Sequence, residues 1–150
     1  RVTAIYEGTN GVQAADLVGR KLADGGVAAD GLLKEIRDVA HNAAGDLAEM
    51  GGQLAVGADA LEAATQWMLA AEANDRNAGS VDYLRAWALA LGGAYLLKGA
   101  AAATGGDADR RTALARYFFG REFPALDALC EAAMDGAAPL YALSAEELAS

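Results

Sequence analysis

Between Leu47 and Met68 apolar or small residues recur three and four positions apart, at Leu47, Met50, Leu54, Gly57, Leu61, Ala64 and Met68. That spacing predicts an amphipathic helix whose stripe forms a bundle seam. It reads either as one long helix or as two pieces broken near Gly51-Gly52 or Gly57. Upstream, Leu32, Leu33, Ile36, Val39 and Ala40 mark one face of a helix ending near Gly45. A first helix is expected from about Asn10 to Leu22, with Val12, Leu17 and Val18 as its larger apolar residues. Asp24-Gly25-Gly26 terminates it, and the segment to Gly31 reads as a linker.

Beyond a polar, turn-like stretch from Asn74 to Ser80, residues 81–103 are apolar nearly all round, with Leu84, Trp87, Leu89, Leu91, Tyr95 and Leu96. A helix apolar on every face is normally central. Gly92-Gly93 within it costs helix propensity, and the usual return is close approach of a neighbouring helix. Thr104-Gly105-Gly106 ends it. Asp107 or Asp109 is expected to cap the next helix, which carries Leu114, Tyr117, Phe118, Leu126, Leu129 and Ala133. Pro124 breaks or kinks that helix, because its ring meets the carbonyl four residues back. Ser144 and Glu147 have the spacing of a capping box for a short tail helix. The pattern as a whole predicts an all-α fold, with residues 30–135 as an up-and-down antiparallel helical bundle.

Composition agrees. Of the 150 residues 54% are apolar but only 7% aromatic. Alanine is the best helix former and lets helix axes approach. The formal charge of −9 is uneven. Residues 1–75 hold five basic and twelve acidic side chains, whereas residues 76–150 hold seven and nine. An acidic chain without a Lys/Arg cluster is a poor partner for nucleic acid. The longest apolar run, 86–97, stops at Lys98, short of the ~20 residues of a membrane span. The single cysteine excludes an internal disulfide and fits a reducing, cytoplasmic compartment. A chain that opens on Arg1 is expected to be a processed or truncated piece of something longer.

Most candidate chemistry has a plain structural explanation. His41 reads as a surface or helix-end histidine, and Cys130 as a small buried residue among Leu126, Leu129 and Ala133. Trp67 and Trp87 read as core anchors. Arg116 and Arg121, set among aromatics in "RYFFGREF", suit an anion but more simply form a solvated or ion-paired face. No metal-ligand spacing is present. Glu7, between Tyr6 and Gly8 just outside a helix start, is either a charge placed at the helix N-terminus or a site residue beside a glycine that permits close backbone approach. Spacing leaves both open.

The stretch "IYEGTNGVQ", Ile5 to Gln13, resembles the signature near the end of the catalytic region of acyl-CoA dehydrogenases, with Val12 in place of the common Ile. The resemblance implies that Glu7 is the catalytic base of an FAD-dependent oxidation in fatty acid metabolism, taking the proton α to the thioester carbonyl of an acyl-CoA. It further implies that Tyr6 and Gly8 contact substrate, that Thr9 and Gln13 lie near the FAD, and that an acceptor such as electron-transfer flavoprotein and a homo-oligomeric assembly belong to the parent. Residues 1–25 would then be the end of the catalytic helical domain. Residues 30–150 resemble the helical domain appended to the 3-methylmercaptopropionyl-CoA dehydrogenase-like group. FAD is not expected to bind this piece alone, and the piece alone is expected to be inactive. The alternative is a non-enzymatic helical interaction or oligomerisation module.

Overall fold

A computed structural model describes residues 9–149, all helix and connecting turn with no strand among the described residues. Among the described residues eight α-helices follow one another: α1 (Thr9–Gly19), α2 (Val27–Asn42), α3 (Ala48–Ala70), α4 (Ala73–Ala78), α5 (Ser80–Ala102), α6 (Gly106–Arg121), α7 (Ala125–Ala133) and α8 (Ala145–Leu148). Contacts across the helices fix their directions. Arg37 of α2 bonds to Asp59 and Glu62 of α3 at 2.8 and 2.6 Å, while Gly26 at the head of α2 lies against Leu69 at the foot of α3. These two helices are therefore antiparallel. Thr65 near the end of α3 meets Tyr83 near the start of α5, so this pair is antiparallel too. Gly99 of α5 faces Arg111, Gly92 faces Phe118 and Gly79 faces Ala133, so α6 and α7 descend along α5. The result is an up-and-down bundle in which α6 and α7 act as one bent strut.

The sequence accounts for each feature. All seven residues of the Leu47–Met68 stripe are buried, and α3 runs through its glycines as one helix. The bend between α6 and α7 sits at Pro124, where the backbone N–H groups of Glu122 and Phe123 both donate to the Phe118 carbonyl, at 2.9 and 3.0 Å. α5 is central, touching α1, α2, α3, α4, α6 and α7. Its buried side is mostly small: Ala86, Ala90, Gly93, Ala94 and Ala100 accompany Tyr83, Trp87 and Leu97. Leu84, Leu89, Leu91 and Leu96 are only half-buried and Tyr95 is exposed.

Glycine lets the bent strut dock. Phe123 rests between Gly57 of α3 and Gly93 of α5, and a Cβ at Gly57 would stand 2.7 Å from the Phe123 ring. A Cβ at Gly93 would stand 3.0 Å from Phe119 and 3.3 Å from Phe123. The rings of Phe119 and Phe123 pack at 4.7 Å between centroids, with Phe118 beside them at 5.9 and 6.4 Å. This aromatic layer fills the space that the small residues leave, as close-packed interiors require.

Three local expectations change. Residues 27–31 belong to α2 and are not linker. The polar stretch before Ser80 is largely a short helix, α4. Neither Asp107 nor Asp109 caps α6, which follows Gly105 without a side-chain cap. Asp107 instead accepts from Arg111 Nε at 2.7 Å, one turn on. The capping box at Ser144 and Glu147 is present.

Candidate functional site

α1 carries the part of the "IYEGTNGVQ" stretch that lies within the described residues. Tyr6, Glu7 and Gly8 fall outside them. Thr9 opens the helix half-buried and Gln13 follows one turn later, exposed. Residues four apart share a helix face, so the Thr9 hydroxyl and the Gln13 amide stand along one line. Asp16 and Arg20 continue it, joined by two hydrogen bonds of 2.6 and 2.7 Å. The hydrogen bond from Arg20 holds the Asp16 carboxyl below its usual range.

The opposite face of α1 is apolar and seated. Ala14 and Val18 are fully buried and Leu22, in the turn beyond, nearly so, against α5 and α4. The connection to the bundle is tight. A 3-10 helix, Lys21–Asp24, leads into Gly25 and Gly26, whose φ values of +77° and +88° suit glycine. The Asp24 carboxylate then accepts from the N–H groups of Gly26 and Ala28, both at 2.9 Å. Those bonds satisfy donors that the first turn of α2 would otherwise leave unpaired. The helix following the motif is thus fixed on the bundle by burial and by a hydrogen-bonded turn.

Thr9 and Gln13 offer polar groups toward solvent, and the first turn of α1 holds no acidic side chain. Such a set could hydrogen-bond to the polar part of a flavin nucleotide. The other sequence candidates are placed elsewhere. His41 is exposed in the last turn of α2. Cys130 is buried on α7, and burial, helped by Asp127, pushes its thiol up to about 11. That is the behaviour of an inert packing thiol, since the thiolate is the reactive form. Trp87 is buried and Trp67 half-buried against the core. Arg116 pairs with Asp46 at 3.1 Å, and Arg121 is exposed. Among the described residues no group of His, Cys, Asp or Glu could hold a metal ion, and no helix is long and apolar enough to cross a membrane.

The sequence pattern did not point to a groove of about 480 Å³ that lies between α1, α2 and α5. Its walls come from three separate helices, so no local spacing announces it.

Residues 32–144, from within α2 to the start of the tail helix, match the family described as acetyl-CoA dehydrogenase C-terminal like. Neither curated proteins nor solved structures yielded a match.

Proposed function

From the premise that this chain belongs to the acetyl-CoA dehydrogenase C-terminal-like family, we propose that it is the C-terminal part of an FAD-dependent acyl-CoA dehydrogenase of the 3-methylmercaptopropionyl-CoA dehydrogenase-like group. Residues 1–25 close the catalytic helical domain and residues 30–150 form its accessory bundle. One observation carries this reading: the "IYEGTNGVQ" motif and the family-matching region stand in a single chain, and the helix that follows the motif is packed on the bundle.

In this reading the Glu7 carboxylate takes the proton α to the thioester carbonyl of an acyl-CoA, and the 2,3-enoyl-CoA results once the β carbon has also lost a hydride. A dry pocket favours this step, because desolvation raises the basicity of a carboxylate. The backbone N–H of Glu7 donates to the thioester oxygen, where charge develops as the proton leaves. Tyr6 walls the acyl chain, and Gly8 lets backbone approach the substrate. Thr9 and Gln13 hold the polar part of FAD, which when bound supplies the acceptor for the β hydride. Electrons then pass to a partner such as electron-transfer flavoprotein. We place the homo-oligomeric parent in the cytoplasm and in fatty acid metabolism.

The decisive experiment is to isolate the native polypeptide containing this sequence and record its intact mass and visible spectrum. The expected result is a yellow protein heavier than 15.3 kDa that an acyl-CoA bleaches. A colourless protein of about this mass would overturn the reading in favour of a helical interaction module.

A further inference from the structure

The groove between α1, α2 and α5 has an amphipathic design of its own. Leu17 of α1, Leu32 of α2, and Leu84 and Leu91 of α5 form its walls, with Trp87 among them. From Leu84 to Leu91 it follows α5 for about 10 Å, at the helical rise per residue. Its volume, about 480 Å³, falls within the roughly 300–1,000 Å³ of small-molecule sites. Among the described residues Lys21 is the single charged one in its lining.

The charges near Lys21 make that residue informative. The Asp16 carboxylate is held by Arg20, and the Asp24 carboxylate is held by the backbone N–H groups of Gly26 and Ala28. Lys21 itself forms no ion pair among the described residues. A chain of net charge −9 therefore presents, at the rim of an apolar trough, a cation that Asp16 attracts but that no salt bridge occupies among the described residues.

We propose that this groove binds a single-chain fatty carboxylate of medium length, its alkyl chain along Leu84–Leu91 and its head group at Lys21. One cation matches one carboxylate, whereas a coenzyme A thioester would bring several phosphates to a surface otherwise rich in acid. The inference does not rest on the dehydrogenase reading, since it uses no residue before Leu17.

Decanoate is the probe, titrated below its micelle concentration into the full chain carrying Trp67→Phe, which leaves Trp87 as the only one of the two tryptophans. The expected result is a saturable change in Trp87 emission. Lys21→Glu should weaken decanoate by about fivefold, the order of an exposed charge contact, and leave decanol unchanged. Ala88→Phe, at a lining position exposed on α5, should weaken both ligands by about tenfold through lost space. Ala28→Leu fills the groove from the other wall if Ala88→Phe does not fold. Absence of a saturable change overturns the proposal, as does undiminished binding in the filled variants. So does decanoyl-CoA binding as tightly as decanoate and indifferently to Lys21. A dimer that the filled variants dissociate would overturn it as well, by assigning the groove to a second copy of the chain.

Discussion

The hydroxyl of Tyr83 on α5 lies 2.8 Å from that of Thr65 on α3, and Thr65 is also 2.7 Å from the Leu61 carbonyl. The carbonyl can only accept, so the Thr65 proton is directed to Leu61 and the Tyr83 proton to Thr65. Both residues are fully buried.

This order of donors makes the two deletions unequal. Tyr83→Phe removes one hydrogen bond and leaves Thr65 bonded to Leu61, at a cost of about 0.5–1.5 kcal/mol. Thr65→Val leaves the Tyr83 hydroxyl buried with its acceptor gone, at a cost of about 1–3 kcal/mol. Urea denaturation of both variants and the double variant separates the pairwise part. Tyr83→Phe proving the costlier change would reverse the assigned donor.

Two glycines should respond to alanine with opposite signs. At Gly79 a Cβ would fall on the Ala133 carbonyl oxygen, where α7 ends against the start of α5. Both sides of that contact are backbone, so Gly79→Ala should cost about 1–3 kcal/mol or more. Gly52, within α3, has nothing within 4 Å of its would-be Cβ, and Gly52→Ala should gain up to about 1 kcal/mol of helix propensity. Thermal melts of the two variants, expected to move in opposite directions, check the pair.

Stability should decline on the alkaline side. The Cys130 thiol ionises near 9.0 as a free group and at about 11 in the fold, chiefly through burial. Between those values the unfolded chain gives up a proton that the folded chain retains, so its stabilising effect is complete below pH 9.0 and is lost progressively toward about 11. Burial raises the Tyr83 phenol too, against the opposing hydrogen bond to Thr65, and acts in the same direction. Cys130→Ala should flatten the fall of the urea midpoint between pH 8.5 and 10.5. An unchanged slope would mean that the thiol reaches water in the folded state.

In the parent flavoprotein that we propose, Glu7→Gln keeps the side-chain shape and removes the base. Acyl-CoA should still bind, and reduction of the flavin should fall by about two to four orders of magnitude, the usual contribution of a positioned base. Near-normal turnover would place the base on another residue.

The bundle was legible where burial follows local periodicity. The α3 stripe and the break at Pro124 are written in the spacing of single helices. What escaped depends on partners distant in the chain. Leu114 and Tyr117 look like core residues but are exposed, because the face of α6 that docks carries Ala115 and Phe119, the latter against Gly93 of α5. α4 is six residues with no buried member, so no apolar stripe marks it. The start of α2 was hidden because Asp24 serves it from before two glycines, outside the ordinary cap position. The candidate site shows the same division. The order of residues from Tyr6 to Gln13 suggests its chemistry by resemblance, yet periodicity predicts only that a helix begins there. A reactive pocket is defined by the walls that enclose it, and a single helix start specifies none of them.

The aromatic layer at the bend has a consequence for where disorder is lost on folding. Ala86, Ala90, Ala94 and Ala100 on the buried side of α5 have no rotamers to freeze, so at those positions docking restricts little beyond the backbone. Phe118, Phe119 and Phe123 each surrender two side-chain torsions, and they do so beside the same glycines. The phenylalanine entropy given up by α6 and the bend is therefore gathered, along α5, at the level of Gly92 and Gly93.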